Sequence, residues 1–281
     1  MNNLTIPNPE SLKQKKQNIK EQGIKKIHIL ADFDRTLTKA IVNGERVPST
    51  ISCLRNGDYI SEDYAKKAHE LANKYYPIEI DTQVPFEEKK QKMLEWWEAH
   101  FDLLIKSGLN KNHLKRIIKE GKIQFREGVL EFIDFLYEKN IPLIIISSSA
   151  LGETIQMFLE KENRFYKNIH IITNFYKWDE NENAIEIKKP IIHVANKEEI
   201  VIQKYPFFDI IKNRKNVILL GDNIEDVGMV KGFEYDNLIK IGFLNENIEE
   251  ALEKYKKNFD AIITNEGNFE FVNKLIREIV K

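Results

Sequence analysis

Residues 27–38, Ile-His-Ile-Leu-Ala-Asp-Phe-Asp-Arg-Thr-Leu-Thr, constrain this chain more than any other stretch. An apolar run from Ile27 to Ala31 has the character of a strand covered on both faces. It stops abruptly at Asp32, followed by Phe33, Asp34, Arg35 and Thr36. A strand places alternate side chains on one face, so an extended Asp32 and Asp34 converge on one point. Like charges held that close raise one another's pKa unless a cation stands between them. The pattern Asp-x-Asp-x-Thr therefore suggests a magnesium site in which one Asp also attacks phosphorus. The plain alternative is a strand end followed by an Asx-type turn, which Asp and Thr both favour.

A chain of 281 residues, 42% of them apolar, holds one large domain or a core with an insert. Its 43 basic and 44 acidic residues balance. That argues against a nucleic-acid polymer or an anionic membrane as partner, since both need a basic excess. The lysine-rich pieces 13–20 and 254–257 are short and mixed, as on solvated helix faces. Cys53 is the single cysteine, so neither an intrachain disulfide nor a cysteine-based zinc site is expected. Residues 1–7 lack the apolar core of a signal peptide, and no apolar run approaches the ~20 residues of a bilayer span. The expectation is a soluble cytoplasmic protein with no membrane or protein partner evident.

Periodicity organises the rest. Residues 9–22 form a surface helix stopped by Gly23. Between about 40 and 125 there are helical and turn signals but no buried strand. A helix covers 61–75, and Tyr75-Tyr-Pro-Ile-Glu-Ile-Asp81 reads as a short extended piece. An amphipathic helix spans 86–106, with Phe86, Met93, Leu94, Trp97, Phe101, Leu104 and Ile105 along one side. Another covers 110–120 and stops at Gly121. Such a span is too long for a connection inside a compact domain. The expected organisation is a core of 1–40 and 126–281, with a helical cap inserted at 41–125. From 126 onward helices at 127–139, 151–161, 197–204, 225–231, 246–257 and 268–280 alternate with strands at 141–147, 169–173, 217–221, 238–243 and 260–263. A hairpin interrupts this rhythm within 174–195. The prediction is an α/β fold with a doubly wound, mostly parallel, Rossmann-like sheet.

In such a sheet, ligands sit beyond the carboxyl ends of the strands. Ser147-Ser148-Ser149 closes one strand and opens a helix, Gly221-Asp222-Asn223-Ile224-Glu225-Asp226 closes another, and Lys197 begins the helix after the hairpin. Singly these read as an N-cap, a turn and a solvated charge. Jointly they supply what phosphoryl transfer through an aspartyl ester requires. Magnesium neutralises a dianionic phosphate. Hydroxyl and backbone N–H groups hold its oxygens, a lysine offsets charge at the reacting centre, and a second Asp moves the proton.

These residues resemble the haloacid dehalogenase-like hydrolases with aspartate nucleophiles. Asp32-Phe-Asp-Arg-Thr36 is similar to the first motif, Ser147 to the second, Lys197 to the third, and Gly221-Asp222 with Asp226 to the fourth. Further pieces are Tyr75 to Asp81, Glu87-Glu-Lys89 with Met93-x-Glu-Trp96, Ile192 to Lys197, Ile218 to Asp222 and Leu238 to Asn245. They narrow the resemblance to the eukaryotic-type cytosolic pyrimidine 5′-nucleotidases, which include the related nucleotidase acting on 7-methylguanosine monophosphate. The resemblance covers about residues 24–280. It implies that Asp32 is the nucleophile and a magnesium ligand. Asp34 is then the general acid and base, ligating the metal through its backbone carbonyl. Asp222 completes the protein's share of the metal shell, with Asp226 in support. Ser147, Ser148 and Lys197 hold the phosphate, and Glu79 in the cap reads the base.

Three departures stand out. Ser147-Ser148-Ser149 replaces the family's Ser-Ala-Gly, with one extra residue before Gly152. His100 stands near a substrate-contacting serine of the family; it either meets the base or packs against the core. Arg35 replaces an apolar residue and reads as a solvated charge. The implied activity is magnesium-dependent hydrolysis of a nucleoside 5′-monophosphate, UMP or CMP foremost, to nucleoside and phosphate. Same-fold rivals are a 7-methyl-GMP nucleotidase and a phosphatase for another small phosphate such as phosphoserine. A non-catalytic binding protein is disfavoured because Asp32, Asp34, Lys197 and Asp222 are all present.

Overall fold

The apolar runs become strands, and the periodic segments between them become helices. The computed structural model describes residues 3–81, 83–199, 202–231 and 234–281. Its first half contains β1 (Leu4–Thr5), α1 (Pro9–Gln22), β2 (Ile27–Ala31), β3 (Ile41–Val42), β4 (Glu45–Arg46), α2 (Thr50–Asn56), α3 (Glu62–Ile80), α4 (Phe86–Lys106), α5 (Lys111–Glu120) and α6 (Val129–Glu138). Then come β5 (Leu143–Leu151), α7 (Gly152–Lys161), β6 (Ile169–Asn174), β7 (Tyr176–Trp178), β8 (Ala184–Ile187), α8 (Phe208–Ile211), β9 (Asn216–Gly221), β10 (Asn237–Leu244), α9 (Ile248–Asn258), β11 (Ala261–Thr264) and α10 (Glu270–Val280).

The main sheet has the order β1-β11-β10-β9-β2-β5-β6. β1 is antiparallel at one edge, and every other neighbour is parallel. From β2 the chain winds outward to β5 and β6, then crosses to the other side of β2 for β9, β10 and β11. The winding direction reverses at β2, so the crevice beyond its carboxyl end is the ligand position of an open α/β sheet. Strand side chains alternate between two cores. Ile27, Ile29, Leu143, Ile145, Ile218 and Leu220 join the face covered by α1, α6, α7 and α10. Leu30, Ile144, Ile146, Val217 and Leu219 join Ile211, Met229 and Tyr255 on the other. Both faces are covered, as the uninterrupted apolar runs predict.

Several expectations change. Residues 75–80 are helical: α3 runs to Ile80 with Pro77 inside it. A proline forfeits a backbone hydrogen bond. Here Tyr75 stacks on Trp96 at 6.0 Å between ring centres, and Ile78 packs on the cluster of Ala72, Tyr75, Met93 and Trp96. Tertiary packing thus overrides the local stop signal. The inward stripe of α4 is Met93, Trp96, Trp97, His100, Phe101 and Leu104, whereas Phe86 and Leu94 are 48% and 38% exposed. The helix expected at 197–204 is instead 3₁₀, at Val194–Glu199 and Ile202–Lys204, and its residues 200 and 201 lie outside the described residues. The helix expected at 225–231 is likewise 3₁₀, at Ile224–Val230.

Between residues 41 and 125 lie the short hairpin β3–β4 and the helices α2 to α5. The chain leaves and re-enters the sheet region side by side. Thr38 and Phe125 form an antiparallel bridge, Lys39 N donates to Gln124 O at 2.9 Å, and Arg126 N donates to Leu37 O at 2.9 Å. Phe33 is fully buried, edge-on to Phe125 at 6.1 Å and tilted on Phe158 of α7 at 6.0 Å. It joins the turn after β2 to the re-entering chain and to α7. Phe33→Ala is expected to cost about 3–5 kcal/mol of stability, read as a lower urea midpoint at unchanged slope.

Candidate active site

β2 delivers Asp32 to the switch point, where its N–H donates to Leu220 O of β9 at 3.0 Å. The side chain is buried, and its Oδ1 accepts from Lys197 Nζ at 2.6 Å. The same ammonium reaches Asp226 Oδ1 at 2.7 Å. Asp226 is fixed by the turn after β9. Its Oδ2 accepts from the N–H groups of Asp222 and Asn223 at 3.1 and 3.0 Å. Gly221 makes this closeness possible, because a Cβ there falls 2.5 Å from Asp226 Cβ. From α9, the Tyr255 hydroxyl donates to the Asp222 carbonyl.

Asp32, Asp222 and Asp226 each offer an oxygen, all within 4.8 Å of one another. Burial pushes Asp32 well above the usual carboxylate range, with Asp226, Asp222 and Asp34 adding to it and Lys197 opposing. Burial and the Asp226 charge push Asp222 up to about 7. Burial works against the charge on Lys197, but Asp226 and Asp32 outweigh it and hold the ammonium protonated beyond its usual range. Hard oxygens gathered this closely suit magnesium, whose ligands stand about 2.1 Å from the ion.

Asp34 does not join Asp32 at Lys197. The chain is extended at Asp32 and Asp34 and turns at Arg35, which has a φ of 61°. Asp34 Oδ2 accepts from Ser149 Oγ at 2.6 Å and from Ser147 Oγ at 3.4 Å. Burial raises its pKa, and the Ser149 hydrogen bond opposes the rise. The serines come from a bulge rather than from a helix start. Between the pairs Ile146–Ile172 and Leu151–Asn174, β5 advances five residues while β6 advances two. That excess pushes the segment out of the ladder. β5 continues to Leu151 and α7 begins at Gly152 without a side-chain cap, so the triplet is not an N-cap. Ser148 turns its carbonyl to Asn174 Nδ2 at 3.0 Å. Asn174 also exchanges two hydrogen bonds of 2.8 Å with Ile192. It thereby joins the serine bulge to the segment that leads into Lys197. Sequence reasoning misses Ser149 and Asn174. The one available signal is the extra residue before Gly152, which the bulge absorbs.

On the helical side, Glu79 is half-buried on α3. Burial raises its pKa, Lys89 opposes this, and the charges of Glu225 and Arg35 reach it from the sheet side. His100 is fully buried, its Nε2 3.0 Å from the Tyr64 hydroxyl and its ring stacked on Trp97 at 6.2 Å. It ends a ladder of Tyr75, Trp96 and Trp97. Burial, with Arg55 in support, lowers its pKa to about 3. Among the described residues, His100 Nδ1 and the indole N–H groups of Trp96 and Trp97 have no hydrogen-bond partner.

This switch-point site on a doubly wound sheet defines the class: a haloacid dehalogenase-like hydrolase of phosphoric monoesters. A profile of the pyrimidine 5′-nucleotidase family (UMPH-1) matches residues 35–280. The chain belongs to this family, and it is a 5′-nucleotidase. It is 34% identical to the 7-methylguanosine phosphate-specific 5′-nucleotidase of Gallus gallus, over 98% of this chain and 95% of the relative. It is 32% identical to a putative cytosolic 5′-nucleotidase 3 of Caenorhabditis elegans, over 97% of this chain and 74% of that one. Among solved structures, cytosolic 5′-nucleotidase IIIB bound to cytidine superposes with a TM-score of 0.88 at 25% identity, covering 99% of this chain and 94% of that one.

The buried imidazole of His100 sets an acid limit to stability. Below pH 6.5 the unfolded chain protonates this ring while the native fold keeps it neutral, down to about 3. Stability therefore falls by about 1.4 kcal/mol per pH unit across that window. Burial lowers His28 to about 4, which adds a slope of the same sign. Urea midpoints compared at neutral and mildly acid pH should show a shallower acid loss for His100→Gln than for the native protein.

Proposed function

We propose that this 5′-nucleotidase hydrolyses pyrimidine nucleoside 5′-monophosphates, CMP and UMP, with magnesium and through a phosphorylated Asp32. The observation that carries the reading is Asp32 itself, buried at the switch point with one oxygen tied to Lys197. Its carboxylate attacks phosphorus, and the bond from phosphorus to the 5′ oxygen breaks. Asp34, held at Oδ2 by the Ser149 hydroxyl at 2.6 Å, gives a proton to the departing nucleoside. A water molecule then attacks the phosphoaspartate, loses a proton to Asp34 and releases phosphate. Lys197, Ser147 and Ser148 hold phosphate oxygens through these steps. Asp32, Asp222 and the Asp34 carbonyl would hold the magnesium, with Asp226 in support. Bound there, it neutralises the dianionic phosphate so that a carboxylate can approach.

In this reading residues 41–125 are a cap, closing on the core of 1–40 and 126–281 to keep water from the reacting centre. Glu79 reads the base, accepting from the cytosine N4 amine or the uracil N3–H. The cytidine held by the solved relative supports a pyrimidine. A second reading, 7-methyl-GMP, is supported by relatives named for 7-methylguanosine phosphate. The relatives named cytosolic support a cytoplasmic location.

One assay series tests these statements. Phosphate release from CMP, UMP, 7-methyl-GMP, AMP and phosphoserine is measured with magnesium and with chelator, on native protein and Asp32→Asn. We expect release to need magnesium, and Asp32→Asn to lose about a thousandfold or more in kcat. Chelator-insensitive turnover or an active Asp32→Asn overturns the mechanism, and a preference for phosphoserine overturns the nucleotide assignment. Glu79→Ala should lower kcat/KM for the preferred nucleotide by about a hundredfold and leave a generic aryl phosphate unchanged. Equal losses on both remove Glu79 from base recognition.

A further inference from the structure

Arg126 belongs to none of the motifs above. It stands where the chain re-enters the sheet region, and it is 2% exposed. A guanidinium carries five N–H donors and keeps its charge in any protein, so burial obliges its donors to find acceptors. Nε donates to Thr36 O at 3.2 Å, and Nη1 donates to Gly267 O at 2.9 Å. Nη2 donates to Arg35 O at 2.6 Å and to Asn245 Oδ1 at 3.0 Å. The Glu266 carboxylate lies 3.7 Å from Nη1, and the Phe243 ring lies 4.7 Å from the guanidinium carbon. Asn245 repeats part of the pattern, its Nδ2 donating to the same Arg35 O at 3.1 Å.

Two of these acceptors belong to the turn that carries Asp34. At φ 61°, Arg35 occupies the left-handed region, which costs an L residue about 1–2 kcal/mol. Something must hold it there. The Arg35 N–H donates to Thr38 Oγ1 at 2.8 Å, which fixes the peptide shared with the Asp34 carbonyl. In a trans peptide the carbonyl opposes the N–H, so Thr38 turns the Asp34 carbonyl to the other side. The next peptide is fixed from its carbonyl end by Arg126 and Asn245.

We propose that Arg126 is the positioning residue of the phosphoryl-transfer turn. By gripping the carbonyls of Arg35 and Thr36 it keeps Arg35 left-handed. In doing so it sets where the Asp34 carboxyl and carbonyl stand relative to Asp32. The inference rests on the acid and base role given to Asp34 above. A lysine at this position keeps the charge but lacks the planar fork that reaches three carbonyls and an amide at once.

The test uses Arg126→Lys, Asn245→Ala, the double variant, and Glu266→Gln, which meets the guanidinium and the Ala40 N–H but neither the Arg35 nor the Thr36 carbonyl. Steady-state kinetics on the preferred nucleotide are combined with urea midpoints and with calorimetric titration of magnesium into the substrate-free protein. Arg126→Lys is expected to lower kcat by about ten- to a hundredfold with KM nearly unchanged, and to weaken magnesium binding. Asn245→Ala should show a smaller loss of the same kind. The double variant should lose no more than Arg126→Lys alone, because both residues act on one carbonyl. Glu266→Gln should move the urea midpoint and spare kcat. A folded Arg126→Lys with native kcat overturns the proposal. So do additive losses in the double variant, or an equal kcat loss in Glu266→Gln. Should Arg126→Lys not fold, Asn245→Ala decides alone, and a native kcat in it counts against the proposal. Asp34→Asn is assayed in parallel: high activity there defeats the role given to Asp34, whichever way Arg126→Lys behaves.

Discussion

Carboxylate crowding at the end of β2 is the constraint that shapes everything nearby. Asp32, Asp222 and Asp226 stand within 4.8 Å of one another, and one buried ammonium, Lys197, bridges two of them. Such charges leave water only when other groups hold them. Each holding group demands a local irregularity of the backbone. The two N–H groups on Asp226 need the tight turn that Gly221 permits. The hydroxyls on Asp34 need the bulge in β5. The chain leaves Asp34 through a left-handed Arg35. The three irregularities fall at the carboxyl ends of β9, β5 and β2, neighbouring strands at the centre of the sheet. The ladders behind them are regular, so the irregularities are confined to the carboxyl-end face of the sheet.

How much of this could be read from residues alone follows from the range of the interactions. β2 and β9 were legible because a strand covered on both faces must be apolar throughout. Asp32, Lys197, Asp222 and Asp226 could be grouped because each lies after a strand or at a following helical turn. The pairing of Asp34 with Ser149 was not legible, since it depends on how many residues β5 gains over β6. The helical state of Tyr75 to Ile80 was hidden by Pro77 and decided by a stack with Trp96 from another helix. Arg126 was invisible for a different reason. In a chain with 43 basic residues, an arginine destined for burial has no local mark.

The helical segment and the sheet are mechanically joined at the site. Val194, in the 3₁₀ helix that also carries Lys197, packs against the cluster of Ala72, Tyr75, Met93 and Trp96. Asn174 couples the same region to the serine bulge. Val194 thereby sets α4 in packing contact with the 3₁₀ helix that carries the lysine beside Asp32. In the same helix, the ring of His100 stays neutral within the aromatic ladder, so the ladder carries no charge of its own. Glu79, by contrast, brings a titratable group toward Glu225 and Arg35.

The neck formed by residues 37–39 and 124–126 has an evolutionary consequence. Its two chains are hydrogen-bonded to each other, so the sheet meets the segment between them as a loop whose ends already touch. Lengthening or shortening that loop changes its closure entropy by only about 0.6 kcal/mol per doubling. Length within residues 40–124 is therefore cheap to change, whereas α2 to α5 share one buried core with the sheet and can be altered only together with it.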